Sequence, residues 1–238
     1  MRSFVRREGR LTRGQARALE RLWPAYGVAP EGALELDALF GRRAPRVLDI
    51  GFGDGEALVE MAAGDPQRDY LGAEVYRPGV GHCLLCAEAA QLANLRVTPL
   101  DAVALLREHL PPASLDEVLI LFPDPWPKKR HHKRRIVQPA VLDLLAGRLR
   151  GGGVLHLATD RADYAAWMLE TLEADPRFTN LAGAGRFLPP PAPRPETKFE
   201  RRGRELGHEV FDLRYALHST HPPTTDPSGE SGGGSHGR

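Results

Sequence analysis

An apolar run, Arg46-Val47-Leu48-Asp49-Ile50, breaks directly into Gly51-Phe52-Gly53-Asp54-Gly55, and this junction leaves the chain few folds to choose from. Glycines at alternate positions suit a strand that turns sharply into a helix while its backbone comes close to a ligand. Further runs rich in Val, Leu and Ile, at residues 70–75, 95–100, 117–122 and 154–158, read as strands. Residues 56–63, 79–93, 103–109, 136–149 and 162–173 read as the helices between them. Parallel strands need helical crossovers, which are almost always right-handed. The alternation therefore predicts an α/β fold with a doubly wound, mostly parallel sheet, followed by a proline-rich loop at 189–195 and a last strand-like run at 209–216.

The flanks differ from this body. Seven arginines fall among the first 21 residues, and Thr12 with Gln15 makes a capping-box pattern that predicts a short helix through Ala18, Leu19 and Leu22. Residues 1–30 thus read as a basic arm with a short helix, 31–217 as the main domain, and 218–238, which hold almost nothing apolar, as a disordered tail. At 42% hydrophobic and 26% charged, the chain has apolar mass for one sizeable core. No stretch approaches the roughly 18 apolar residues of a membrane span, and no apolar segment follows the first basic residues as in a signal peptide. A cytoplasmic protein is expected. Cys83 and Cys86, with only His82 beside them, do not complete a zinc site and read as one side of an apolar helix, so no metal is expected. His109, His156 and His208 read as packed or loop histidines, and Trp23, Tyr26 and Trp167 as core or hinge residues.

The glycine loop implies a nucleotide-containing cofactor, but its helix opens with Asp54 and Glu56. Those acids would repel a pyrophosphate at the helix N-terminus. They tolerate S-adenosylmethionine, which has no phosphate and carries a sulfonium and an ammonium. Asp49 suits those cations, directly or by ordering the loop. Glu74, ending the second strand, is placed to accept both ribose hydroxyls, and Asp101, after the third, to accept from the adenine amino group. A carboxylate ending a strand is commonplace; three at successive strand ends match the carboxyl edge where ligands of such sheets collect.

At that same edge stands Phe122-Pro123-Asp124-Pro125-Trp126-Pro127, where alternating prolines stiffen a loop that aims Asp124 and Trp126. A carboxylate there can accept from the N1–H and amino group of guanine while an indole offers a stacking face. Next comes Lys128-Lys129-Arg130-His131-His132-Lys133-Arg134-Arg135 in a chain whose net charge is only +1. As the start of the 136–149 helix, this run would oppose the helix macrodipole and is better explained by a polyanionic partner.

These residues, from Phe122 to Ile136, closely resemble the signature of the bacterial tRNA (guanine-N(7)-)-methyltransferase family. So do Leu48-Asp49-Ile50-Gly51-Phe52-Gly53, Glu74 with Pro78-Gly79-Val80-Gly81, Ala158-Thr159-Asp160, and Arg194-Pro195-Glu196-Thr197-Lys198-Phe199-Glu200. The likeness runs from the arginine-rich arm to about Tyr215. It implies a Rossmann-like class I methyltransferase sheet with an antiparallel strand near the C-terminus, S-adenosylmethionine as cofactor, and tRNA as partner, methylated in the variable loop. It further implies cofactor contacts from Asp49, Gly51, Gly53, Glu74, Asp101 and Asp124, with Asp124 catalytic. Lys128, Asp160 and Thr197, Lys198, Phe199 and Glu200 match substrate-binding positions, and Arg130, His131, His132, Lys133, Arg134 and Arg135 the RNA-contacting stretch. Asp49 stands where the family often has glutamate and, one methylene shorter, could reach the cofactor through water; Cys83-Leu84-Leu85-Cys86 is not a family feature.

Three other readings stay open at this point: an NAD-dependent dehydrogenase, which Asp54 and Glu56 disfavour; an amino-group methyltransferase on another nucleic acid, given the likeness of Pro123-Asp124-Pro125-Trp126 to an Asp-Pro-Pro-Tyr motif; and a non-catalytic RNA-binding module on the same scaffold. Whether the chain acts as a monomer or homodimer is not legible.

Overall fold

The computed structural model describes residues 9–219. The capping box at Thr12 and Gln15 is formed and opens α1 (Arg13–Arg21); the short α2 (Trp23–Tyr26) and α3 (Leu36–Phe40), both absent from the sequence reading, complete the lead-in. The alternating body follows as β1 (Arg46–Ile50), α4 (Glu56–Gly64), β2 (Asp69–Ala73), α5 (Arg77–Ala89) and β3 (Leu95–Thr98). Next come α6 (Ala102–Ala104), which widens into a π-turn at Leu105–His109, then β4 (Leu115–Leu121), a 3-10 helix at Lys129–Arg134, α7 (Pro139–Arg148) and β5 (Leu149–Thr159). The described residues continue through α8 (Ala162–Glu173), β6 (Phe178–Asn180), α9 (Lys198–Glu205) and β7 (Phe211–Leu217).

The seven strands form one sheet in the order β3-β2-β1-β4-β5-β7-β6. Neighbours among β1 to β5 pair in parallel, whereas β7 runs antiparallel to β5 and β6 antiparallel to β7. Of these strands β7 alone runs against the rest, since β6, antiparallel to β7, regains the direction of β1 to β5; this is the antiparallel strand expected near the C-terminus. Alternate residues of β1 feed opposite faces, as the period of 2 requires: Val47 packs with Ala18, Leu58 and Leu84, and Leu48 with Leu105, Leu142 and Tyr164. The arm helix α1 belongs to the first of these layers, tied down by Gln15 Nε2 donating to the Pro78 carbonyl (3.1 Å). No helix among the described residues is long and apolar enough to cross a membrane.

The basic run departs from its expected place. It forms the separate 3-10 helix, and α7 begins only at Pro139. The proline ring holds Gln138 extended (φ −156°, ψ 158°), so no helix can run through from Lys128, and the macrodipole of α7 does not act on the cations. Of the expected tail, His218 and Ser219 are described and the remainder lies outside the described residues, as do Arg2, Arg6 and Arg7.

Candidate active site

The sheet order reverses between β1 and β4, the switch point at which doubly wound sheets leave a crevice at the carboxyl edge. A cavity of about 640 Å³ opens there, a volume suited to a nucleoside-sized ligand. The glycine loop supplies one wall. Gly51, Gly53 and Gly55 all have positive φ (77°, 66° and 82°), which only glycine adopts at no steric cost. At Gly55 close packing adds a second constraint, since a Cβ would stand 2.4 Å from the Cβ of Cys83. Cys83 is therefore the floor of the loop; burial pushes its thiol pKa up, and among the described residues no His, Cys, Asp and Glu cluster could hold a metal.

Glu74 and Asp101 stand at the ends of β2 and β3 on the cavity wall. The two Glu74 oxygens accept from the backbone N–H of Gly53 (3.0 Å) and of Tyr76 (2.8 Å), which fixes the carboxylate while leaving each oxygen a free lone pair. Burial raises the Glu74 pKa, the backbone donors oppose the rise, and Asp124 adds to it. Asp101 caps α6, with Oδ1 accepting from Val103 and Ala104 N–H (3.1 and 3.2 Å), while its buried Oδ2 has no partner among the described residues. An unanswered buried acceptor beside a cavity is costly unless a ligand donates to it. Asp49 is buried one residue before the wall, on the strand face shared with Val47, and does not itself line the cavity. Burial, with Glu74 adding to it, pushes its carboxyl pKa up to about 7.

Phe122, Pro123 and Asp124 form the opposite wall, and Asp124 is exposed to the cavity. Phe122 and Trp126 adopt positive φ (51° and 44°), a strained state for bulky residues that persists only where the surroundings enforce it. Lys128, Lys129, Arg130, Lys133 and Arg134 project to solvent with no carboxylate partner among the described residues. Arg134 lies over the Trp126 ring (4.8 Å to its centre), and His131 meets the edge of the same ring. Nearby burial lowers the His131 pKa, and the flanking cations lower it further. His132 packs against Trp167.

The structure sets Arg135 apart from the run in which the sequence places it. It is 1% exposed and paired with Asp163, so it is not one of the solvent-facing cations. The segment 197–200 also divides. Lys198 and Phe199 reach the cavity, Lys198 Nζ lying 3.2 Å from Asp54 Oδ2. Thr197 and Glu200 instead build the helix: Thr197 Oγ1 accepts from Glu200 N–H (3.1 Å), and the buried Glu200 carboxylate pairs with Arg194 and Arg204. Asp160 pairs with His208 (3.1 Å) and does not line the cavity. The sequence reading missed Arg202, which lines the cavity from α9 and has no carboxylate partner among the described residues. The signal was present, because Thr197 and Glu200 have the spacing of a capping box, and a helix starting there turns Lys198, Phe199 and Arg202 together.

A doubly wound sheet with an acid-lined nucleoside crevice at its switch point and no pyrophosphate cradle defines the Rossmann-like methyltransferase class. The crystal structure of the 16S rRNA methyltransferase KamB has this fold, with a TM-score of 0.57 at 17% identity over 82% of this chain and 98% of that one. Residues 43–213 match the family model described as "Putative methyltransferase". The tRNA (guanine-N(7)-)-methyltransferase of Halorhodospira halophila is 73% identical over 218 residues, covering 91% of this chain and 94% of the relative. That of Alkalilimnicola ehrlichii is 60% identical over 90% of this chain and 92% of the relative. The chain belongs to the tRNA (guanine-N(7)-)-methyltransferase family.

Proposed function

We propose that this protein transfers the methyl group of S-adenosylmethionine to N7 of a guanosine in tRNA, in the variable loop. The observation that carries the reading is the set of acids, Glu74, Asp101 and Asp124, at successive strand ends around one cavity, with Asp101 Oδ2 buried and unanswered among the described residues. The donor set fits the cofactor. Glu74 has a free lone pair on each oxygen for the ribose hydroxyls, and Asp101 Oδ2 accepts from the adenine amino group. Arg202, a cavity cation with no carboxylate partner among the described residues, answers the α-carboxylate, while Asp49 lies buried next to the cavity wall at Ile50. Bound there, the cofactor supplies a methyl group made electrophilic by its sulfonium.

N7 of guanine is unprotonated near neutral pH, so the protein has no proton to remove and needs no general base. Its contribution is alignment and exclusion of water. Asp124 accepts from N1–H and the amino group of the base and thereby turns N7 toward the methyl, while Lys198 and Phe199 close the cavity from α9. Lys128 to Arg134 hold the phosphates that lead to the target.

Incubation with labelled S-adenosylmethionine and unmodified tRNA, followed by nucleoside analysis, is expected to yield 7-methylguanosine, and Asp124→Ala is expected to lower kcat by about two orders of magnitude. Label in another nucleoside would overturn the specificity. Near-normal turnover in the variant would overturn the role of Asp124.

A further inference from the structure

We propose that Arg135 is a positioning residue for methyl transfer, which fixes Asp124 through the carbonyl of Pro125 and makes no contact with RNA. This rests on the reading that Asp124 orients the guanine. Although it ends a run of exposed cations, Arg135 is 1% exposed. Its Nε donates to the Pro125 carbonyl (3.0 Å) and its Nη2 to Asp163 Oδ2 (2.8 Å). The guanidinium also lies over the rings of Tyr164 (4.7 Å) and Trp167 (5.3 Å). One planar group thus faces a carbonyl, a carboxylate and two aromatic faces, a set that an ammonium could not satisfy.

The loop needs such an anchor. Pro123, Pro125 and Pro127 have no N–H to give a hydrogen-bond ladder. The two strained residues, Phe122 and Trp126, flank the segment that presents Asp124. Arg194 presses on the Phe122 ring (5.5 Å) at one end, and Arg135 holds the Pro125 carbonyl at the other. The same face of α8 secures the chain beyond Arg135, where Trp167 Nε1 donates to the Val137 carbonyl (2.7 Å). The helix α8 and Arg135 thereby form a rigid back wall for the residue that touches the base.

Asp163→Asn separates this role from RNA binding. The change leaves every cation in place and removes one negative charge, so if Arg135 served phosphate, tRNA affinity would stay level or improve and kcat would not change. With Arg135 as the anchor, weakening its ion pair lets the Pro125 carbonyl drift. The expected result is a kcat lower by about tenfold with the tRNA Kd within about twofold of wild type. Arg135→Lys keeps the charge but not the planar fork, and is expected to lose kcat in the same way. In Arg135→Gln, the slope of log Kobs for tRNA against log salt should equal that of wild type, because loss of a phosphate contact would make it shallower by about 0.7 to 0.9. Each variant is compared per folded protein, from its thermal melt. Wild-type kcat in Asp163→Asn, or a shallower salt slope in Arg135→Gln, would overturn the proposal. An inactive Asp124→Ala beside a fully active Asp163→Asn removes only the anchor role, whereas an active Asp124→Ala removes the reading on which it rests.

Discussion

Replacing Asp49 with asparagine should change how stability depends on pH far more than stability itself. Asp49 is 3% exposed, and burial with Glu74 nearby lifts its pKa from 3.8 to about 7. A carboxyl whose folded pKa lies above its unfolded one holds its proton more tightly in the folded state, so it favours folding most below pH 3.8. That contribution is lost as pH rises, because the unfolded chain ionises first, and the loss is complete once pH passes the folded pKa near 7. At about 1.4 kcal/mol per pH unit the interval amounts to about 4 kcal/mol, of which about 3 kcal/mol falls between pH 5 and pH 8. Asparagine cannot ionise. Its amide adds an offset that is constant with pH, so the signal is the change in the difference between the two proteins. Urea unfolding of both, without cofactor, at intervals from pH 5 to 8, should show Asp49→Asn gaining on wild type by about 3 kcal/mol across that range. Curves that stay parallel would show that Asp49 is ionised in the fold with a compensating partner, and the reasoning from burial would fail.

Further outcomes follow from the same contacts. A Cβ at Gly79 would lie 1.9 Å from the Gly53 carbonyl oxygen, so Gly79→Ala must displace the glycine loop; at about 1–3 kcal/mol of strain, cofactor Kd measured by calorimetry should rise roughly ten- to hundredfold. Arg202→Ala removes a cavity cation that has no carboxylate partner among the described residues and should weaken S-adenosylmethionine about tenfold while barely affecting adenosine, a contrast readable by competition binding. Replacing the exposed Lys129 and Lys133 together by alanine should make the salt slope of tRNA binding shallower by about 1.5 and leave kcat at saturating tRNA unchanged.

The elements legible in the sequence were those whose signals are local. Strand β1 and its glycine loop are written in consecutive residues, because a short apolar run and positive φ at Gly51, Gly53 and Gly55 need nothing from elsewhere in the chain. The acids Glu74, Asp101 and Asp124 were legible for the same reason: each ends a strand, and the topology brings those ends to one edge. Strand β6 was not, since three residues, Phe178–Asn180, are too few to show a period and pair only because β7 returns beside them. The late start of α7 was readable at Gln138-Pro139 but was overridden by the apolar pattern from Ile136, which packs into the core ahead of the helix.

Arg135 and α9 mark where reading by local pattern must fail. Six Lys and Arg in eight residues look equivalent along the sequence. What singles out one of them is the set of Asp163, Tyr164 and Trp167, which lie about thirty residues on and reach it only when α8 folds back across the sheet. In α9 the polar composition of Lys198–Glu205 hides a helix whose buried side is ionic: Glu200 packs inward because Arg194 meets it there, and Arg194 in turn pairs with Asp212 on β7 and covers Phe122. A buried cation needs its carboxylates supplied from other elements, because desolvation would otherwise exclude it. Arg135 and Arg194 therefore both report tertiary structure. Both also press on the strained loop that carries Asp124, one at each end, so the residues least legible as parts of the site are those that give it a fixed shape.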